Sequence, residues 1–216
     1  MGVHVRAEGT GRFPGVQQVS EGAFDGVVAV GDEVLPRRRL RLVSSTIDRY
    51  GRIDVLVNNA GIAPISPLAA LDTNGWSAMI DVNLRGMLNG VAAALPVFRD
   101  QGSGHLVSIV SVAGLSGVSP SMAVYAATKN AVRTVHEGLR TESTDGVVRT
   151  TAISPGYVRT SLADSMADPH VREQTRTNMD AVGIPAAAVA RAVAFAIEQP
   201  DDVEIGEINV RPTVQA

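Results

Sequence analysis

Short apolar runs alternate with helical patterns along most of this chain, and this alternation limits the fold more than any other feature of the sequence. The runs predicted to be buried strands lie at 27–30, 53–57, 105–110, 148–153 and 204–210. Apolar residues at helical spacing predict helices between them, at 35–50, 72–98, 122–140 and 186–198. Strands that alternate with helices form a parallel sheet covered on both faces. We therefore predict an α/β fold with a doubly wound parallel sheet flanked by helices.

Length, charge and residue usage exclude several classes of protein. The 216 residues suit a single domain spanning 1–216, with an atypical, glycine-punctuated start at 1–26. A net charge of −3 gives no reason to expect nucleic acid or an anionic membrane as a partner. No apolar run is long enough for a signal peptide or a membrane span, which favours a cytoplasmic protein. Without cysteine, and with four scattered histidines, the chain is predicted to have no metal site.

Tyr125 and Lys129 point most directly to chemistry. They lie four residues apart, so a helix places both on one face, and Ser111 precedes Tyr125 by 14 residues. A neighbouring ammonium lowers the pKa of a phenol from its usual value near ~10. Lys129 is the only lysine among the 19 Lys and Arg residues, and arginine holds its proton too firmly to replace it. Such a cluster predicts acid/base chemistry on a carbonyl or alcohol oxygen, although the tyrosine–lysine spacing also occurs by chance.

Two further stretches place polar residues where a ligand is expected. The sequence NNAG at Asn58–Gly61 directly follows the second predicted strand, and open α/β sheets bind ligands beyond the carboxyl ends of their strands. The alternative for NNAG is a simple strand-ending turn. Asn83 lies inside the long predicted helix, where asparagine is a mediocre helix former. It either faces solvent or interrupts the helical ladder and holds a water.

In order and spacing, these residues resemble the motifs of the short-chain dehydrogenases/reductases. The motifs are NNAG at Asn58–Gly61, Asn83 in DVNLRG, Ser111 in IVSVAG, YxxxK at Tyr125–Lys129 and PGYVRT at Pro155–Thr160. The resemblance covers about residue 27 to the C-terminus. It implies a Rossmann-like domain that interconverts a small carbonyl compound and its alcohol by hydride transfer with an NAD(P) cofactor.

The resemblance implies a role for each matched residue. Tyr125 would be the catalytic acid/base, and Ser111 would position the substrate oxygen. Lys129 would lower the pKa of Tyr125 and bind the nicotinamide ribose, and Asn83 would hold a water in a proton relay. The cofactor-binding residues implied besides Tyr125 and Lys129 are Asn58, Ala60, Gly61, Pro155, Gly156, Val158 and Thr160.

The resemblance also bears on the cofactor and the assembly. The C-terminal stretch INVRPTVQ is similar to a branch of reductases acting on small hydroxy acids, aldehydes and alcohols, which favours NADP, with NAD as the alternative. Members of the family assemble through two long helices, here about 74–98 and 122–140, which implies a homotetramer or homodimer. The polar, mixed residues 161–185 are expected to form a mobile lid over the crevice.

The N-terminal stretch departs from the family pattern. A glycine-rich loop that binds pyrophosphate is only faintly echoed by Thr10-Gly11 and Gly15, and a plain loop is the simpler interpretation. If 27–30 is the third strand of the family, Asp32 is the acidic residue after it; if it is the second, Asp32 is the ribose-binding acid. Either assignment leaves the fold lacking about one N-terminal helix–strand unit.

This departure leaves alternative functions open. The intact chemical residues favour an NAD(P)-dependent oxidoreductase. The altered start favours a catalytically impaired or cofactor-free relative that acts as a binding or oligomeric protein. A third interpretation is a redox-sensing regulator that binds cofactor without turnover. A chain whose start lies further upstream would also explain the pattern.

Overall fold

A parallel sheet forms the centre of the computed structural model, which describes residues 27–30, 36–115 and 117–215. Within these residues the sheet has five strands in the order β1-β2-β3-β4-β7. The strands are β1 (Val27–Val30), β2 (Val55–Asn58), β3 (Gly104–Ile109), β4 (Val148–Pro155) and β7 (Glu207–Val210). Two short parallel strands, β5 (Val158–Arg159) and β6 (Ile184–Pro185), pair with each other outside this sheet. The predicted parallel α/β architecture, Rossmann-like and flanked by helices, is confirmed.

The helices pack on both faces of the sheet. They are α1 (Pro36–Tyr50), α2 (Thr73–Met79), α3 (Gly86–Gln101), α4 (Ala123–Glu142), α5 (Pro169–Val182) and α6 (Ala186–Ile197). On one face, α1, α3 and α4 bury side chains such as Phe98 against Leu56 and Leu106. On the other face, α6 packs Ile197 against a cluster that includes Val107. Alternating strand side chains therefore serve two cores, as expected for a sheet buried on both sides.

The long helix predicted over 72–98 is interrupted. It begins at Thr73, where the carboxylate of Asp72 accepts a hydrogen bond from the Gly75 amide at 2.9 Å. Between α2 and α3 the segment Ile80–Arg85 is π-helical, and the Gly86 amide donates to the carbonyl of Asp81, five residues back. Such single-turn interruptions are frequent at functional sites. Asn83 lies in the middle of this one.

Residues 161–185, expected to form a mobile lid, contain regular secondary structure. A 3-10 turn at Ser161–Ser165 leads to α5, which begins at Pro169 with Asp168 as its N-cap. Ala163, Met166 and Met179 are buried in a cluster that also contains Tyr125. The segment therefore packs beside Tyr125 through a helix with one apolar side, and its role as a mobile lid stays a prediction.

The first described strand lies beside β2. Val27 to Val30 pair in parallel register with Val55 to Asn58, so β1 forms one edge of the described sheet. The predicted acidic residue Asp32, the glycine-containing stretch at 1–26 and the proposed missing helix–strand unit lie outside the described residues. In the part of the chain that is described, no helix is long and apolar enough to cross a membrane.

Candidate active site

The predicted site residues meet at the carboxyl-terminal edge of the sheet. Asn58 ends β2 and pairs in register with Ser108 of β3, and Ile109 of β3 pairs with Ile153 of β4. The NNAG, IVSVAG and PGYVRT stretches therefore leave neighbouring strands side by side. The Val112 amide donates to the carbonyl of Pro155 at 3.0 Å, which fixes the Ser111 loop to the end of β4.

Tyr125 lies in the first turn of α4 and is only 5% exposed. The Ser111 side chain is near enough to influence the phenol, and its Oγ accepts a hydrogen bond from the Ala113 amide at 3.1 Å. Burial raises the pKa of Tyr125 above its usual value, and the Ser111 side chain and the positive charge of Arg133 only partly oppose this effect. The phenol is consequently protonated at neutral pH when neither cofactor nor substrate is bound. The sequence-based expectation that Lys129 lowers this pKa stays a prediction.

Lys129 lies one turn further along α4, with 4% exposure. Its Nζ donates to the main-chain carbonyl of Ile109 at 2.9 Å and lies 5.8 Å from the centroid of the Tyr125 ring. Burial, followed by the charge of Arg133, lowers the pKa of Lys129 to about 8. The predicted juxtaposition of the two side chains is therefore present, and the amine is held at the end of β3.

Asn83 is 3% exposed, so the alternative that it faces solvent is wrong. Its Oδ1 accepts from the Ile62 amide at 2.9 Å. Its Nδ2 donates to the Ile62 carbonyl at 3.0 Å and to Thr128 Oγ1 at 3.1 Å. Asn83 does interrupt the helical ladder, and its side chain braces the loop that follows NNAG. Its role in holding a water stays a prediction.

The NNAG loop brings its backbone close to the amine. Asn58 is buried, whereas Ala60 and Gly61 are partly exposed. A Cβ placed on Gly61 would lie 3.2 Å from Lys129 Nζ and 3.6 Å from Asn83 Oδ1. A glycine at this position therefore leaves room in front of the amine that any side chain would take up. The loop is more than a strand-ending turn.

The PGYVRT stretch is held by the C-terminal segment. The Gly156 amide donates to the Val210 carbonyl at 2.9 Å, and the Tyr157 amide donates to Gln215 Oε1 at 2.8 Å. A Cβ on Gly156 would overlap Gln215 Oε1, so any other residue at this position would displace the end of the Gln215 side chain. Val158 lies in β5, and Thr160 Oγ1 caps the following 3-10 turn by accepting from the Leu162 amide.

Sequence reasoning missed several residues that build the site. Thr128 donates to the Tyr125 carbonyl at 2.7 Å while it accepts from Asn83. Ser165 accepts from the Ala63 amide at 2.8 Å and joins the lid to the loop after NNAG. Arg133 is four residues beyond Lys129, so continuing the spacing of Tyr125 and Lys129 by one more helical turn would have found it. Asp32, the remaining predicted cofactor contact, lies outside the described residues.

The donor set favours an organic cofactor. A lysine ammonium carries three N–H donors. Among the described residues, Ile109 is the hydrogen-bond acceptor of Lys129, so two donors remain for the hydroxyls of a ribose placed against Gly61. The described residues contain no group of three or more His, Cys, Asp or Glu side chains able to hold a metal ion. The geometry thus fits the nicotinamide–ribose end of a dinucleotide.

The fold and the site define an NAD(P)-dependent dehydrogenase or reductase. The model of the family described as short chain dehydrogenase matches residues 16–170. This chain belongs to that family. Over 203 residues it is 42% identical to an uncharacterized oxidoreductase of Listeria innocua, a match that covers 93% of this chain and 81% of the relative. It is also 41% identical over 177 residues to an uncharacterized oxidoreductase of Staphylococcus saprophyticus, which covers 81% of this chain and 71% of the relative.

Solved structures show the same architecture. The closed form of a serine dehydrogenase complexed with NADP+ is 31% identical and superposes with a TM-score of 0.77. That match covers 86% of this chain and 75% of the other. The fold of this chain is therefore shared with that dehydrogenase over most of its length.

Proposed function

We propose that this protein interconverts a small carbonyl compound and its alcohol, with Tyr125 as the acid/base and a nicotinamide dinucleotide as the cofactor. The observation that carries the proposal is the meeting of a buried phenol, the Ser111 side chain that lowers its pKa and a buried amine at one edge of the sheet. Tyr125 is 5% exposed and Lys129 is 4% exposed. The separation of 5.8 Å between Lys129 Nζ and the tyrosine ring keeps both within reach of one substrate.

The proton chemistry follows from the state of Tyr125. Because burial raises its pKa, the phenol holds its proton at neutral pH and suits the role of a general acid in carbonyl reduction. It would give that proton to the substrate oxygen as negative charge develops there. The Ser111 hydroxyl, beside the phenol, would hold the same oxygen by a second hydrogen bond. In the direction of alcohol oxidation the phenolate is required, so that direction would be faster at alkaline pH.

Lys129 is the proposed ligand of the nicotinamide ribose. When bound, the nicotinamide supplies or accepts the hydride, and the protein contributes position and electrostatics. The donors of Lys129 not used by Ile109 would bind ribose hydroxyls in the space that Gly61 leaves open. Asn83 would keep this space in shape through Ile62, and it would hold a water of a proton relay beside the amine. The proposed nicotinamide contacts from the other side are Pro155, Gly156, Val158 and Thr160.

NADP is the proposed cofactor, and NAD is the alternative that the same experiment measures. NADP is supported by the NADP+ complex of the serine dehydrogenase, which is 31% identical to this chain. The proposed substrate is a small carbonyl or hydroxy compound. Its support is the same relative, a dehydrogenase of serine, which is a small hydroxy compound. Ile65, Met166 and Met179 bury apolar side chains in one cluster with Tyr125, so the surroundings of the phenol are largely apolar.

The test compares Tyr125→Phe with the wild-type protein. Purified protein is titrated with NADPH and NADH, and turnover is then followed by cofactor absorbance with a panel of small aldehydes, ketones and hydroxy acids. We expect Tyr125→Phe to lower kcat by about 10²- to 10⁴-fold, since it removes the acid/base, and to leave cofactor affinity within a few-fold. Tyr50→Phe is the matched control, because Tyr50 is 37% exposed at the end of α1. Equal turnover by wild type and Tyr125→Phe would overturn the proposed mechanism.

We also propose that the protein acts as a cytoplasmic homo-oligomer. Apolar side chains lie open on helices of both faces of the sheet: Leu88 of α3, within the predicted assembly helix 74–98, is 41% exposed, and Phe195 of α6 is 54% exposed. A second copy of the chain would bury such groups. Light scattering is expected to give a dimer or tetramer at micromolar concentration, and a monomer there would contradict the proposal.

A further inference from the structure

Arg133 lies two helical turns beyond Tyr125, on the same face of α4. The spacing Tyr125, Lys129, Arg133 continues the pattern of the catalytic pair by one more turn. Its side chain is only 14% exposed. It is not part of any motif by which this site was predicted, yet its guanidinium contacts three segments that surround the site.

The guanidinium joins α4 to the ends of three strands. Its Nη2 donates to the main-chain carbonyl of Ser111, just beyond β3, and to Ser154 Oγ of β4 at 2.8 Å. Its Nε donates to Glu207 Oε1 of β7 at 3.0 Å. Its Nη1 donates to Asn130 Oδ1, within α4, at 2.5 Å. One side chain thus contacts the loop after β3, the strand β4 and the strand β7.

We propose that Arg133 is a positioning residue of the active site, which fixes the Ser111 main chain against α4 and places a second positive charge behind Tyr125 and Lys129. This inference rests on the proposed function, in which Tyr125 exchanges a proton with the substrate. The Ser111 carbonyl that Arg133 holds belongs to the same residue as the hydroxyl beside the phenol. Fixing that carbonyl therefore restricts where the hydroxyl lies.

A lysine could not reproduce this set of contacts. The planar guanidinium presents five donors in a rigid fork, whereas an ammonium is a point charge on a flexible stem. Arg133 uses three of its nitrogens at once, toward acceptors that lie in different directions. A change to lysine would keep the charge and lose most of the geometry, so the two contributions of Arg133 can be separated by experiment.

The charge acts on both members of the catalytic pair. After burial, which raises the pKa of Tyr125 and lowers that of Lys129, the charge of Arg133 lowers the pKa of each group. Ala163, Met166 and Met179 from the lid segment share the buried cluster of Tyr125, and the Ser111 side chain is the polar group that also lowers its pKa. Among the charged groups of the described residues, Arg133 lowers the pKa of Tyr125, Lys129 Nζ lies 5.8 Å from its ring, and Glu207 of β7 forms an ion pair with Arg133.

The first experiment compares Arg133→Met and Arg133→Lys with Arg140→Met as the matched control. Arg140 is an arginine of the same helix, whose exposed ion pair with Glu137 lies on the surface. We expect Arg133→Met to lower kcat by about 10- to 100-fold through misplacement of Ser111. The rising limb of the pH profile of kcat for alcohol oxidation should also move to higher pH by roughly one unit. Arg133→Lys should lower kcat as well but leave the limb near its wild-type pH, and Arg140→Met should change neither.

The second experiment needs neither substrate nor cofactor. Tyrosinate absorbance is titrated in the whole protein, and the titration of Tyr125→Phe is subtracted to isolate Tyr125 from the other two tyrosines. Arg133→Met should move this titration to higher pH. Glu207→Gln should move it to lower pH, because Glu207 partly neutralises the guanidinium. Glu207 is on the last strand of the sheet and its side chain is 32% exposed, so this variant provides the test if Arg133→Met does not fold.

The two experiments separate this inference from the proposed function. Opposite shifts for the Arg133 and Glu207 variants support the inference even where no substrate is turned over, in which case the proposed function alone fails. An unmoved tyrosinate titration in Arg133→Met or, if that variant does not fold, in Glu207→Gln would overturn it. A loss of kcat in Arg140→Met as large as that in Arg133→Met would also overturn it, since the effect would then belong to α4 in general.

Discussion

Asn83 and Ile62 are joined by both ends of one side-chain amide. Oδ1 accepts from the Ile62 amide at 2.9 Å, and Nδ2 donates to the Ile62 carbonyl at 3.0 Å. The pairing resembles one rung of a sheet ladder, made between a side chain of the π-helical segment and the main chain beyond NNAG. It ties two segments 21 residues apart and keeps the floor of the proposed cofactor crevice in place.

Replacing one atom of Asn83, the Nδ2 nitrogen, by an oxygen should disrupt its pairing with Ile62. In Asn83→Asp the donor toward Ile62 and Thr128 is replaced by an acceptor, so buried acceptors face each other. We expect the free energy of unfolding to fall by about 1–3 kcal/mol, with a matching loss of cofactor affinity. Denaturant titration measures the first and NADPH titration the second. Asn74→Asp is the control, because Asn74 is exposed in α2 and should change stability by no more than about 0.5 kcal/mol. Equal effects of the two substitutions would contradict the bracing role.

Burial of Lys129 lowers the stability of the fold, although the proposed function requires this residue. Its pKa is lowered from 10.5 to about 8, first by burial, so the folded chain holds this proton less tightly than the unfolded chain. Lys129→Met should therefore raise the free energy of unfolding at neutral pH by on the order of 1–3 kcal/mol while it abolishes turnover. Thermal unfolding and activity assays measure the two effects.

The pH dependence of the stability difference between wild type and Lys129→Met provides a control for this prediction. Between about pH 8 and 10.5 the unfolded lysine stays protonated while the folded one loses its proton, so this group adds stability to the wild type as pH rises. The advantage of Lys129→Met should shrink across that window. A wild type more stable than the variant at pH 7 would show that the Ile109 hydrogen bond outweighs the cost of burial.

Two glycine-to-alanine changes should differ in their effects: one should weaken cofactor binding, and the other should stabilise the fold without changing binding. Gly61→Ala places a Cβ 3.2 Å from Lys129 Nζ, which Ile109 holds in position. We expect it to displace the amine and to weaken NADPH binding by about 10-fold, a loss of roughly 1.4 kcal/mol. Gly138→Ala has nothing within 4 Å of the added Cβ and lies inside α4, so it should stabilise the fold by about 0.5–1 kcal/mol without changing binding. Calorimetry measures both, and unchanged binding in Gly61→Ala would count against the proposed ribose position.

Two buried histidines should make the protein sensitive to acid. His105 bonds Thr151 and His136 bonds Ser108, each through Nε2 at 2.8 Å. Burial is the main cause that lowers the pKa of His105 to about 3 and that of His136 to about 4. The unfolded chain takes up these protons from about pH 6.5 downward, so stability should fall as the pH drops below that value. His136 alone contributes on the order of 3 kcal/mol by pH 4.

Thermal unfolding between pH 7 and 4 measures this acid sensitivity. His136→Gln should flatten the fall in Tm, because the group that must be kept neutral is gone. His170→Gln is the matched control, since His170 is exposed at the start of α5 and should leave the slope unchanged. A wild-type Tm that does not change over this range would contradict the assignment of both histidines as buried neutral groups.

The parts of the fold that local pattern specifies were predictable from sequence. Apolar β-branched runs predicted the strands to within a few residues, and the spacing of Tyr125 and Lys129 predicted their common face. The segment Ile80–Arg85 was not predictable, because the apolar periodicity of 72–98 continues through it. Its π-helical geometry coincides with contacts that Asn83 makes to Ile62 and Thr128, which are distant in sequence.

Sequence reasoning also missed α5 and the role of Gln215, and only the first of these had a signal in the local sequence. Asp168 followed by Pro169 is a recognisable helix start, so α5 was available to sequence reasoning and its polar composition obscured it. The role of Gln215 had no local signal. Its contact with Tyr157 spans 58 residues and arises only because β7 lies beside β4.

The π-helical turn at Ile80–Arg85 also has a genetic consequence. A π turn is one residue longer than the α-helical turn it replaces, and the helix on either side stays in phase. An in-frame loss of one codon within this turn would therefore leave the buried faces of α2 and α3 where they are, while turning Asn83 away from Ile62. A protein with that deletion would keep the scaffold and lose the brace of its crevice. One inserted residue is thus a simple route by which an ordinary surface helix acquires an inward-facing amide.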